Sequence, residues 1–150
     1  MSRLRTTLRG DGNLPIGEAL HPVTIAAVVL LVVNDWLLKP AFPHRWPHAI
    51  TGKLSDVAGL VAAPVILTAL IGLALRKHLT RRRLLLSIAA TGIVFAAVKL
   101  CPAASHAFVA LLSHFRHSAV MMDPTDLFCL PALAVAYWIG SDELRRLTPD

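Results

Sequence analysis

Long apolar runs separated by short charged knots dominate the chain. The first, Pro22 to Lys39, is mostly Val, Leu and Ala, with proline where the first turn of a helix tolerates it. The second, Asp56 to Leu75, contains Pro64, which would kink a helix but is tolerated within a bilayer. The third, Leu84 to Leu100, is ended by Pro102. The fourth, Asp126 to Gly140, is short. It reaches spanning length only by continuing through SDELRR, because about 20 residues are needed to cross the hydrocarbon core. These runs predict an all-α integral membrane bundle of about four transmembrane helices, connected up and down. Residues 103–120, between the third and fourth runs, are apolar but carry His106, His114, Arg116 and His117. An amphipathic surface helix is favoured there over a fifth span, which would need a very tight connection at MMDPT. The expected organisation is a flexible cytoplasmic N-terminus over 1–20, a single transmembrane domain over 21–146 and a short tail over 147–150.

Composition strengthens the membrane assignment. Of 150 residues 55% are hydrophobic and 16% charged, against about 25% charged in ordinary soluble domains. A soluble chain this short exposes too much surface to hide so much apolar sequence. The net charge of +6 would point to nucleic acid in a soluble protein. Here basic residues flank apolar spans instead, so nucleic acid is excluded and the lipid bilayer is the expected partner. Another membrane protein or a second copy of the chain would be further partners.

The basic residues also orient the chain. Arg3, Arg5, Arg9, Arg76, Lys77, Arg81, Arg82, Arg83, Arg145 and Arg146 fall on one side. Lys39, Arg45, Lys53, Lys99 and Arg116 fall on the other. Cytoplasmic loops collect Lys and Arg, so both termini are expected in the cytoplasm, with the chain in the inner membrane. No A-x-A-like cleavage site follows the first apolar run, which is expected to stay as an anchor.

The acids distribute unevenly. Asp35 lies near the outer end of the first helix, about 20 Å from its start. Asp56, Asp123 and Asp126 begin the second and fourth helices at the same face, Lys53 precedes Asp56, and Lys99 ends the third. No acid is expected inside a span at the cytoplasmic face. A charge within a span costs about 2.5–3.5 kcal/mol at the bilayer centre and less near the edge. Asp35 and Lys99 sit below the rim and should therefore find partners inside the bundle, Asp35 with Lys99 or Lys53 being the preferred pairing. Asn34 adds a polar group with the same need. Asp56, Asp123 and Asp126 also have a plainer explanation as helix starts: D-P-T-D places Asp123 at the N-cap, Pro124 at the first position and Asp126 at the third, and S-D at 55–56 is read similarly.

Other chemistry is thinner. T-G-K-L-S-D at 51–56 lacks the first glycine, the hydroxyl residue and the preceding strand of a Walker loop, which excludes nucleotide binding on this motif. A glycine turn before a helix, with Lys53 beside it, remains able to bind a lipid phosphate through backbone N–H groups. His44 and His48 have helical ligand spacing, but Pro47 argues for an irregular loop. His114 and His117, with Asp123 or Asp126, are the weak candidates for an external metal site. Neither a resident metal nor a cofactor is expected. Cys101 and Cys129 fall near the outer ends of adjacent spans; a disulfide and two buried thiols explain them equally well.

The segments N-D-W-L-L-K at 34–39, T-G-K-L-S-D-V-A-G-L at 51–60 and D-P-T-D-L at 123–127 resemble a pattern in small bacterial four-helix membrane proteins to which no activity is assigned. The resemblance touches about a quarter of the chain and implies a bacterial source and four helices. A fainter similarity to VanZ-like membrane proteins lies in the short charged rim beside apolar helices.

Two functions follow as expectations. The leading one is an outward-facing binding or enzyme site formed by Asn34, Asp35, Lys53, Asp56, Lys99, Asp123 and Asp126. It would take an anionic or lipid-headgroup ligand. In its enzymatic form, Asp35 is the best candidate for a general base, while the lysines hold an anionic group such as a lipid phosphate. The alternative is an accessory subunit of a larger membrane complex, with the rim charges as fold-specifying ion pairs. A proton-coupled transporter ranks last, since Thr68 and Ser87 are nearly the only polar side chains in the inner halves of the middle spans.

Overall fold

The computed structural model describes residues 15–38, 45–113 and 123–148, and within them the chain is all-helical. Residues 15–20 form successive turns that lead into α1, Pro22–Val33. His21 caps this helix: its Nδ1 accepts from the Val23 N–H at 3.2 Å, and Pro22 occupies the first turn, where its missing N–H costs nothing. Helix α1 is apolar all round, yet only Thr24 and Ala27 are buried, while Ile25, Val29, Leu30 and Val32 are exposed. Small residues face the protein and large aliphatic ones face outward, as in helices surrounded by lipid. The α-helix then widens into a π-helical turn, Asn34–Leu38.

Helix α2, Arg45–Leu75, has 31 residues and is about 46 Å long at 1.5 Å per residue. It starts well before the apolar run does, with Pro47 in its first turn, so the stretch expected to be an irregular loop is helical over 45–50. Pro64 is accommodated inside it. A Schellman motif closes it: Lys77 N–H donates to Gly72 O at 3.0 Å, Arg76 N–H donates to Leu73 O at 3.3 Å, and Arg76 takes φ 50°. Helix α3, Arg81–Leu100, begins at Thr80, whose Oγ1 accepts from the Arg83 N–H at 3.3 Å. Helix α4, Pro102–Ser113, lies within the stretch expected as a surface helix; His114 and His117 fall outside the described residues. The chain resumes with a 3-10 segment, Pro124–Ala132, and continues as α5, Leu133–Leu147. Pro131 has no N–H and its ring crowds the carbonyl four residues back, which disfavours the α-helical form over this stretch.

Three helical stretches are long and apolar enough to cross a membrane: Ile50–Leu75, Arg81–Leu100 and Pro124–Leu147. The last shows that the fourth run does continue through SDELRR. Pro22–Leu38 is shorter than these. Helix α2 is the hub, packing against α1, α3, the 3-10 segment and α5. Ala27, Val61, Ala62, Val65, Ala136 and Ile139 form its main core cluster. Gly140 of α5 lets Leu84 of α3 approach so closely that a Cβ would lie 2.4 Å from its Cδ1. This packing puts the ends of α1, α3 and the start of the 3-10 segment beside the first half of α2, which positions the charged rim.

Candidate functional site

Helix α2 presents two polar faces in its N-terminal half. Thr51 and Ser55 are one turn apart and face α1; Lys53 and Asp56 point toward α3 and the 3-10 segment. Against the first face stands Asn34, which is fully buried. Its Nδ2 donates to Thr51 O at 2.6 Å and to Ser55 Oγ at 2.8 Å. Ser55 Oγ in turn donates to Asp35 Oδ1. The π-helical turn makes this pairing geometrically reasonable, because its extra residue per turn rotates the chain relative to an α-helix. Asn34 Oδ1 accepts no hydrogen bond among the described residues.

On the second face an alternating chain of charges runs across three elements. Lys99 Nζ donates to Asp56 Oδ2 at 2.7 Å and to Asp126 Oδ2 at 2.6 Å. The other oxygen of Asp126 accepts from Lys53 Nζ at 2.8 Å. Lys53 also donates to Thr125 Oγ1 at 2.7 Å and lies 3.9 Å from Asp123 Oδ2. Lys99 further sits 5.6 Å from the centroid of the Phe95 ring, one turn back on its own helix. Asp126 is the junction, with a lysine on each oxygen. Lys99 is only 7% exposed, whereas the side chains of Lys53 and Asp123 are 43% and 45% exposed. The chain of charges thus runs from a sealed end to an open one.

Asp123 caps the 3-10 segment through Oδ1, which accepts from the Thr125 N–H at 2.8 Å. Hydrogen bonds from the Thr125 hydroxyl and backbone hold its carboxyl below the usual carboxylate range. The D-P-T-D reading as a helix start is correct in its capping geometry, with Pro124 at the first position.

Several expectations need correction. Lys99 pairs with Asp56 and Asp126 and Lys53 with Asp126, whereas Asp35 accepts from Ser55 on another face of α2. Ser55 and Asp56 are not a helix start, because α2 begins at Arg45. Gly52 and Lys53 are likewise inside the helix, where backbone N–H groups already bond within the helix, so the proposed phosphate-binding turn is absent. The seven candidate residues form two adjoining clusters, Asn34–Asp35 and Lys53–Asp56–Lys99–Asp123–Asp126. Thr51, Ser55 and Thr125 belong to them and were not singled out in the sequence, although the i, i+4 spacing of Thr51 and Ser55 placed two hydroxyls on one face. The expectation of no acid inside a span at the opposite end is also overturned: Asp142 and Glu143 lie within the Pro124–Leu147 stretch, and Glu143 is buried.

Cys101 is an exposed free thiol and Cys129 a buried one, whose Sγ lies 3.9 Å from Lys53 O. Among the described residues no group of three or more His, Cys, Asp or Glu side chains is arranged to hold a metal ion. No family model, curated protein or solved structure matches the chain.

Proposed function

We propose that the chain is a four-span protein of a bacterial inner membrane whose outward rim binds a lipid headgroup or similar ligand bearing an anionic group. Pro22–Leu38 supplies the fourth span, short enough to place Asn34 and Asp35 just below the outer interface. Both termini lie in the cytoplasm, in keeping with the basic residues between α2 and α3 and at the end of α5. The observation that carries the proposal is the exposed end of the charge network. Lys53 has a 43% exposed side chain and stands beside the Thr125 hydroxyl at the start of the 3-10 segment. A phosphate oxygen displacing the weak 3.9 Å contact to Asp123 would gain a charge-assisted hydrogen bond while Asp126 keeps Lys99. Asp123 and Asp126 make the same rim complementary to an ammonium group, so a zwitterionic headgroup suits it as well as an anionic one.

Native mass spectrometry of the detergent-released protein, titrated with phosphatidylethanolamine and phosphatidylglycerol, tests the proposal. Lys53→Met should weaken retention of one lipid at least tenfold, a loss of about 1.4 kcal/mol, and leave thermal stability close to wild type. Equal retention by wild type and K53M would sink the headgroup site. The saturation of Lys99 and Asp126 by each other favours a second reading, a fold-specifying ion-pair clamp within a larger membrane complex. In that case K53M would change neither lipid retention nor stability, while changes at Lys99 would cost stability alone.

A further inference from the structure

At the opposite end of the bundle the turn that precedes α1 is folded into the helices. Glu18 is 2% exposed. Its backbone carbonyl accepts from Thr24 Oγ1 at 3.1 Å, which ties the turn to α1. Its neighbour Gly17 lies against the Glu143 carboxylate so closely that a Cβ would stand 1.9 Å from Oε1. One Glu18 oxygen, Oε1, is buried without a hydrogen-bond partner. The groups that act on this carboxyl come from each packed element: the Thr68 hydroxyl from α2, the Glu143 carboxylate from α5 and the Arg83 guanidinium from α3. His21, on the same turn, faces Asp142 Oδ2 at 3.6 Å and the Trp138 ring edge-on at 5.3 Å.

The hydrogen-bond direction at Thr68 is informative. Thr68 Oγ1 donates its single hydrogen to Val65 O at 2.7 Å. That hydrogen cannot serve Val65 O and a Glu18 carboxylate at once, so Thr68 only partly offsets the burial of the charge. Arg83 gives little compensation, since its Nη1 is engaged with Lys77 O at 3.0 Å. An ionised Glu18 would be a buried charge next to a second carboxylate, with an oxygen left unsatisfied.

We infer that Glu18 is a proton-binding site at the inner end, neutral while the Pro15–His21 turn is docked, and that losing this proton releases the turn from the bundle. Burial, and to a smaller extent the nearby Glu143, push the Glu18 carboxyl above its ordinary value of 4.5, against the opposing pull of its own backbone N–H, Thr68 and Arg83. The sign follows directly. A group whose pKa is higher in the docked state stabilises docking fully at acid pH, and that stabilisation is lost as pH rises from about 4.5 through the docked-state value. Release of the proton leaves a carboxylate that water solvates better than the bundle does, so the open turn is the alkaline form.

The full chain in lipid nanodiscs provides the test through two readouts. Infrared spectroscopy should show a protonated-carboxyl C=O band that persists as pH rises above 4.5, the ordinary value for the group, and that Glu18→Gln removes. Hydrogen exchange at amides 18–21, corrected for intrinsic rate, should accelerate at least tenfold as pH rises from about 4.5 through the docked-state value (on the order of the ratio expected from one coupled proton) and become pH-independent in E18Q. Glu143→Gln removes the like charge that helps hold Glu18 protonated, so it should move the midpoint of opening to lower pH. A band that has vanished by pH 4.5, exchange independent of pH in the wild type, or an unchanged midpoint in E143Q would each overturn the inference. If E18Q does not fold, E143Q and the wild type still decide it.

Discussion

Removing the Lys99 ammonium is the sharpest test of the rim network. Lys99→Met keeps a similar length and volume but leaves Asp56 and Asp126 facing an apolar chain. The two losses are unequal. Asp126 retains Lys53 at 2.8 Å, whereas Asp56 loses the base 2.7 Å from its Oδ2. Breaking a buried pair by deleting one partner costs about 3–5 kcal/mol. The Asp56 side chain is 18% exposed, so partial hydration places the expected cost near the lower end, about 3 kcal/mol. For a chain of this size that lowers the melting temperature by about 6–12 °C. Adding Asp56→Asn removes the stranded charge and should recover about 1–2 kcal/mol, on the scale of coupling between contacting residues. Denaturant unfolding in mixed micelles, followed by helical circular dichroism, measures wild type, K99M, D56N and the double variant as a cycle. A K99M cost below about 1 kcal/mol, the range of a surface ion pair, or strict additivity of the two changes would refute the assignment of Lys99 as the buried hub.

Three further outcomes follow from the packing and the caps. Gly140→Ala places a methyl within 2.4–3.0 Å of three Leu84 side-chain atoms and should destabilise the bundle by about 1–2 kcal/mol, overpacking outweighing the gain in helix propensity; an unchanged melting temperature would contradict the α3–α5 contact. Arg76→Gly relieves the positive φ of 50° and should stabilise by up to about 1 kcal/mol, read in the same unfolding assay; destabilisation would mean that the Arg76 side chain contributes more than the backbone conformation costs. Because the Asp123 carboxyl is held below its ordinary value of 3.8, the cap it provides is fully present above that pH and is lost as pH falls through the lower folded value. Amides 124–126 should accordingly lose hydrogen-exchange protection only in strong acid, and Asp123→Ala should remove that dependence.

The hydrophobic pattern by itself determined that the chain is helical and where its apolar runs lie. Such runs have few alternatives: a backbone in an apolar surrounding must satisfy its hydrogen bonds within the segment. It also located Asp35, Lys99 and Asn34 as polar groups in need of partners, and D-P-T-D as a helix start. Local chemistry is enough for such statements, because capping and span length involve only neighbours in sequence. Which partners those groups take was decided by tertiary structure. Helix α2 begins earlier than its apolar run and turns Ser55 toward Asp35 and Asp56 toward α3, so Lys99 meets Asp56 and Asp126. The burial of Glu18 was equally invisible, since GEALHP has no periodic pattern and becomes informative only when α2, α3 and α5 close around it. Charge pairing depends on a few ångströms between elements far apart in the chain, and apolar periodicity carries no record of that distance.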